Sequence, residues 1–136
     1  MKPYVLDANA LLRYFQNFPG AEIVEKLVQR SQHLDAKLMM SAVNLGEVFY
    51  TLAKSIGVDR TKSYIQAISE SVEIVPLDRE SALAAATLKF HYKLGYADSM
   101  AALLAMRSNS TLVTADPEFT RLGKKVKILS LPRHKA

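Results

Sequence analysis

The chain has 136 residues, of which 49% are hydrophobic and 23% charged, the proportions of a single soluble domain with a proper core. The absence of cysteine excludes disulfides and thiolate metal sites and suits a reducing compartment. No apolar run approaches the roughly 20 residues that span a bilayer and the first residues lack a signal-peptide layout, so the expectation is a cytoplasmic protein with no membrane partner; its net charge of +5 is compatible with a polyanion.

Residues 4–6 are a short apolar run after a proline and read as a buried strand. Asp7 stops that run, and residues 8–17 read as a helix, so a carboxylate stands at a strand-to-helix junction. Asp in such a place can cap the helix, and in open α/β sheets the same edge is where ligands bind. After the loop Phe18-Pro19-Gly20, residues 21–33 form a second helix with Ile23, Val24, Leu27 and Val28 at helical spacing; His33 suits its last turn better than a ligand role. Residues 37–40 are a second buried strand. Ser41 can cap the next helix, to about residue 55, whose core stripe is Leu45, Val48, Phe49, Leu52 and Ile56. At about 100° per residue Glu47 falls opposite that stripe, with Asn44, Thr51 and Lys54. Read locally it is a solvated glutamate, unless that face looks into a cleft.

Gly57 breaks the helix and residues 58–69 form another. Residues 72–75 are a third strand, closed by Pro76. Asp78 caps an alanine-rich helix over 79–92, which Gly95 ends; His91 and Tyr92 read as packing or last-turn residues. Asp98 then opens a helix over 99–107 that is apolar nearly all round and therefore buried. Residues 111–114 are a fourth strand. Asp116-Pro117-Glu118 starts a short turn, Pro following an Asp cap, which Gly123 ends. Residues 126–129 are a fifth strand, and Arg133-His134-Lys135 are expected to be frayed. There are no repeats or linkers, so residues 1–136 read as one domain.

Strands alternating with helices predict a parallel sheet covered on both faces, with all strands ending on one edge. Asp7 follows the first strand and Asp116 the fourth. Glu47 lies about two helical turns past the second. Asp98 begins a helix that must run antiparallel to the fourth strand, so it too starts at that edge. Four acidic residues therefore converge by topology. The helix over 79–92 starts at the same edge and must return the chain to it, either by lying obliquely or through the loop 93–97. Gathered carboxylates repel one another unless a cation is present or some stay protonated. Oxygen-only ligands suit Mg²⁺ or Mn²⁺, and such ions serve phosphoryl chemistry.

Four segments taken in order resemble the PIN-domain nucleases, and more narrowly the VapC-type ribonuclease toxins. They are Tyr4-Val5-Leu6-Asp7-Ala8-Asn9, Ser41-Ala42-Val43-Asn44-Leu45-Gly46-Glu47, Ala97-Asp98-Ser99-Met100-Ala101-Ala102, and Leu112-Val113-Thr114-Ala115-Asp116-Pro117-Glu118-Phe119. The resemblance covers essentially the whole chain. It implies a three-layer α/β/α sandwich with a central, mainly parallel five-stranded sheet. It also implies an acidic metal site of Asp7, Glu47, Asp98 and Asp116, supported by Asn9 and Thr114. The implied activity is Mg²⁺- or Mn²⁺-dependent hydrolysis of RNA, with a cognate antitoxin as partner and a homodimer as assembly. Glu118 is an extra carboxylate for which capping or first-turn dipole stabilisation is the expectation. Arg13, Lys54, Lys124 and Lys125 are candidates for the RNA backbone, although each alone reads as a solvated charge.

Two other acidic folds fit less well. A receiver-type phosphorylation domain needs an acidic pair before the first strand's Asp and a lysine ending the fifth, where Lys2-Pro3 and Ser130 stand. A haloacid-dehalogenase-like phosphatase needs Asp at position 9, where Asn9 stands. The non-enzymatic alternative is an RNA-binding or scaffolding PIN domain, which would be expected to lose acidic residues.

Overall fold

The computed structural model describes residues 1–133. The first strand, β1 (Lys2–Leu6), includes Pro3 because β1 there has only one neighbour. Pro3 is in register with Lys37 of β2 (Ala36–Ser41), whereas pairing with β4 (Thr111–Thr114) starts at Tyr4. A residue without an N–H is tolerated where one side of the strand is unpaired. The remaining strands are β3 (Val72–Val75) and β5 (Lys127–Ser130), the latter one residue later than its apolar run indicates. The sheet order is β3-β2-β1-β4-β5 and all four pairings are parallel. The fold is thus the expected α/β/α sandwich, with β1 at the centre.

Side chains alternate across the strands and feed two cores. Leu6, Leu38, Met40 and Val113 face one side, packed by α1 (Ala8–Gln16), α2 (Ala21–Gln32), α3 (Ala42–Ile56) and α4 (Val58–Ile68) through Leu11, Val24, Val48 and Ile68. Val5, Met39 and Leu112 face the other side. There they meet Ala101, Ala102 and Ala105 of α6 (Tyr96–Arg107), and Phe119 and Leu122 of a 3-10 segment, Pro117–Lys125, kinked at Gly123. The small alanine face lets α6 lie close on the sheet.

One expectation changes here and one open point is decided. First, α6 starts at Tyr96, not Ser99. Lys93, with φ of 57°, is the left-handed cap that ends α5 (Arg79–Tyr92), and Gly95 is the N-cap of α6. The glycine starts one helix instead of ending the other. Asp98 is therefore in the first turn of α6. Second, the course of α5, open in the sequence between an oblique lie and a return through the loop 93–97, is set by its pairing with α6. Arg107 at the end of α6 donates to Glu80 Oε1 (2.7 Å) and Ser81 Oγ (3.1 Å) at the start of α5, so the two helices form an antiparallel hairpin. Through α5 itself the chain returns to the Asp98 edge, and residues 93–95 only turn it.

Phe119 has no solvent exposure and anchors the turn that follows Asp116. Phe119→Ala should lower unfolding free energy by about 3–5 kcal/mol, read by denaturant titration. A loss below about 1 kcal/mol would contradict this packing.

Candidate active site

Asp7 is fixed before anything else in the cleft. It is the N-cap of α1, with Oδ1 accepting from Ala10 N at 2.8 Å, and it is only 3% exposed. Its Oδ2 accepts a hydrogen bond from Thr114 Oγ1, and the same oxygen of Thr114 accepts from Asp116 N at 3.0 Å. The register Leu6↔Val113 places these residues side by side at the strand ends. Asp116 in turn caps the 3-10 segment, its Oδ1 accepting from Glu118 N at 2.9 Å. Each acid thus has a structural bond as well as a place in the cleft.

Glu47 reaches the cleft from α3. Asn44, one turn earlier and 1% exposed, donates from Nδ2 to Glu47 Oε1 (3.3 Å) and to the Ala97 carbonyl (3.1 Å). It therefore ties the Glu47 turn of α3 to the residue before Asp98. Asn44 Oδ1 is buried and has no hydrogen-bond partner among the described residues. Asp98 lies over the N-cap of α6, its Oδ2 at 3.4 Å from where a Cβ on Gly95 would be.

One cleft of about 440 Å³ is lined by Asp7, Asn9, Glu47, Asp98 and Asp116, with Thr51 and two arginines, Arg13 and Arg133, at its walls. Thr114 is buried behind Asp7. The tightest acidic group is Asp98, Asp116 and Glu118, whose ligand atoms lie within 4.8 Å of one another. Asp7 and Glu47 are outside that trio and act on Asp98 through charge. Burial pushes the Asp98 carboxyl up to about 7, helped by Asp116, Asp7, a hydrogen bond to Asp116, and Glu47. Burial also raises Asp7 to about 6, against the bonds from Thr114 and Ala10 that pull it down; Asp116 and Glu47 add to the rise. Two acids held out of their usual range by burial and mutual repulsion are a site that favours a cation or a proton.

The donor set fits a hard divalent ion, because it is carboxylate oxygen throughout. Glu118, expected as a capping or first-turn residue, lies in that first turn and also joins Asp98 and Asp116, 3.7 Å from Arg121. Its position two residues past Asp116, in the same turn, was the available signal. Asn44 was visible on Glu47's face but carried no assigned role. Of the cationic candidates, Arg13 spends its guanidinium on Asn9 and backbone carbonyls, and Lys54 lies 4.7 Å from the Tyr50 ring. Lys124 and Lys125 are exposed at the end of the 3-10 segment. Arg133 was expected to fray, but its carbonyl accepts from Arg13; His134 and Lys135 lie outside the described residues.

Comparison with known proteins bears on the whole fold. No curated protein matches the chain in sequence. The structure of DNA-bound VapBC from Salmonella typhimurium superposes with a TM-score of 0.76 at 21% identity, covering 96% of this chain and 98% of that one. VapBC2 from Rickettsia felis, bound to a DNA fragment from its promoter, gives 0.73 at 18%, covering 95% and 98%. A toxin–antitoxin complex from Klebsiella pneumoniae gives 0.69 at 16%, covering 98% and 99%. At these identities the likeness is one of fold. The model of the PIN domain matches residues 4–125, from the first residue of the buried β1 run to the end of the 3-10 segment, and the chain belongs to the PIN-domain family.

Proposed function

We propose that this chain is a metal-dependent endoribonuclease and the toxin of a toxin–antitoxin pair. The observation that carries the reading is the cleft in which Asp7, Glu47, Asp98 and Asp116 meet, with Asp98 raised to about 7. The likeness to VapBC and toxin–antitoxin structures supports the same reading.

Asp7, Asp98 and Asp116 would hold one or two Mg²⁺ or Mn²⁺ ions, with Glu47 as a further ligand or as the group that orients the attacking water. A bound divalent ion neutralises the phosphate, lowers the pKa of water and stabilises the leaving oxygen. The chain's own residues do the positioning. Thr114 fixes the Asp7 carboxylate, Asn44 holds Glu47 near α6, and Asn9 contributes a polar wall. Water oxygen bonds to phosphorus in line and the 3′ oxygen leaves with a proton, giving a 5′-phosphate and a 3′-hydroxyl.

The antitoxin and a second copy of the chain each have a candidate surface. A groove of about 710 Å³ runs between α1, α2 and α4, with Tyr14, Phe15, Val28, Tyr64 and Ile68 in its lining. It suits the apolar face of a segment that folds as it binds. An arginine from that segment could reach the acids and pair bidentately with them, blocking the site. On the opposite layer, Leu83 and Phe90 are 60% and 80% exposed and seven residues apart on α5, an apolar face suited to a second copy in a homodimer. Among the described residues no helix is long and apolar enough to cross a membrane.

Asp7→Asn or Asp98→Asn should fold and lose cleavage of single-stranded RNA by at least ~100-fold, more than a lost supporting partner costs. Wild-type rates in a folded Asp7→Asn protein would remove the site, and a folded wild type that binds RNA without cleaving it would leave the non-catalytic reading.

The raised pKa values set a pH dependence. Between about pH 4 and 7 the folded protein holds protons on Asp7 and Asp98 that the unfolded chain releases near 3.8, so these groups make stability fall as pH rises. The penalty is complete above the folded values. Mn²⁺ should therefore raise the melting temperature near neutral pH and progressively less in acid, and Asp98→Asn should melt higher than wild type at pH 8 without metal. Melting curves that ignore Mn²⁺ at every pH would count against an ion site.

Co-expression with the short reading frame adjacent to the gene should yield a stable complex without RNase activity. Failure of any neighbouring product to bind would sink the toxin role while leaving a solitary nuclease possible.

A further inference from the structure

The segment after β5 is built into the cleft. Leu131 is buried, and its N–H donates to the Thr114 carbonyl at 2.8 Å, so the segment continues β5 alongside the strand that leads to Asp116. Arg13 then clamps it. Its Nη1 donates to the Pro132 carbonyl and to the Pro19 carbonyl (2.7 Å). Its Nη2 donates to the Arg133 carbonyl (3.0 Å), and its Nε to Asn9 Oδ1 (2.8 Å). Gly20 offers bare backbone to the same segment. A Cβ there would stand 3.1 Å from Leu131 Cβ and 3.3 Å from Pro132 Cδ, and its φ of 95° already favours glycine.

This strap sets Arg133 in the lining of the acidic cleft. Among the described residues Arg133 makes no ion pair, although Asp7, Glu47, Asp98 and Asp116 line the same cleft. Its guanidinium is therefore not engaged by the carboxylates of the described residues. Arg13, in contrast, directs its donors to carbonyls and Asn9. A polyanion entering this cleft meets repulsion from the acids, and a guanidinium at the wall offsets it. The planar fork of donors matches two phosphate oxygens.

We propose that Arg133 contacts a phosphate of the bound nucleic-acid strand, and that Arg13 is the positioning residue that straps it at the cleft. The ligand class is the phosphodiester backbone of single-stranded RNA, an identity that rests on the ribonuclease reading above.

The test uses the full chain, a fluorescent single-stranded RNA oligonucleotide and a series of salt concentrations. Binding is read in EDTA and cleavage in Mg²⁺. Arg133→Gln should weaken binding about tenfold, as for one charge-assisted contact. It should also reduce the slope of log K against log salt by about 0.7 and raise KM while leaving kcat within about twofold. Lys26→Gln, on the exposed surface of α2, makes the same charge change away from the cleft and should leave that slope as it is. Arg13→Lys should reproduce the KM effect, and the double variant should add little to either single one. An Arg133→Gln protein with wild-type affinity and slope overturns the proposal. Fully additive single effects overturn the positioning role of Arg13. Tighter Mn²⁺ binding in Arg133→Gln with unchanged RNA affinity also overturns it, making Arg133 a counter-ion of the acids. A wild type that binds RNA without cleaving it removes only the ribonuclease reading, because the salt slopes still report on Arg133. A wild type that neither binds nor cleaves removes both.

Discussion

The hydrogen bonds that hold the buried Asp7 carboxylate are the constraint on which the cleft depends. A carboxylate at 3% exposure is costly to ionise, and here one oxygen takes the Ala10 N–H while the other takes the Thr114 hydroxyl. Thr114 passes the link to Asp116 through its own Oγ1. The β1–β4 pairing is what brings these three residues together, so sheet register and carboxylate geometry are a single requirement. A one-residue slip in that pairing would point Thr114 away from Asp7.

The other two acids arrive by different means. Glu47 depends on α3 presenting its polar face to the cleft while Val48 and Leu52 are buried. Asn44 is the part of that face which touches α6, through the Ala97 carbonyl. Asp98 depends on the α5–α6 hairpin, because α6 reaches the strand-end edge only if α5 returns the chain there. The Arg107 bonds to Glu80 and Ser81 hold the far end of that hairpin. Cleft geometry is therefore sensitive to contacts on the opposite side of the helical layer.

Much of the architecture is legible in the residues because it rests on local signals. The apolar runs Tyr4-Val5-Leu6 and Leu112-Val113 mark the central strands, and Asp7, Ser41, Asp78 and Asp116 all cap the elements they precede, each accepting a backbone N–H. That Asp7 and Asp116 share an edge follows from strand direction, and Asp98 joins them because its helix feeds a parallel strand, whereas the place of Glu47 in the cleft is what the family resemblance implies. What was not legible is non-local. Gly95 reads as the end of α5 because glycine commonly ends helices, yet Lys93 takes the left-handed position and frees Gly95 to start α6. The antiparallel hairpin is set by packing between α5 and α6, which no periodicity encodes. Glu47 is ambiguous by helical phase, since a polar face can look to solvent or to a cleft. The hold of Arg13 on residues 132 and 133 spans almost the whole chain and leaves no local pattern.

The distribution of charge completes the physical account. The chain carries an excess of five positive charges, yet none of the ion pairs among the described residues involves Asp7, Glu47, Asp98 or Asp116. Three of those pairs lie elsewhere, between Arg30 and Asp35, Lys37 and Glu73, and Arg107 and Glu80, while the fourth joins Arg121 to Glu118 beside Asp98 and Asp116. A lysine or arginine seated among the four acids would relieve their repulsion and bring Asp98 back toward its ordinary range. It would also occupy the oxygens. Leaving them without a counter-charge costs stability at neutral pH, a cost the two buried cores on either side of the sheet must offset. The same repulsion is released when a cation enters, so the free energy withheld from folding becomes affinity for whatever positive charge the cleft receives. The cost of ionising Asp98 and Asp7 in the folded chain therefore has burial as its first cause, and the nearness of Asp116 and Glu47 adds to it.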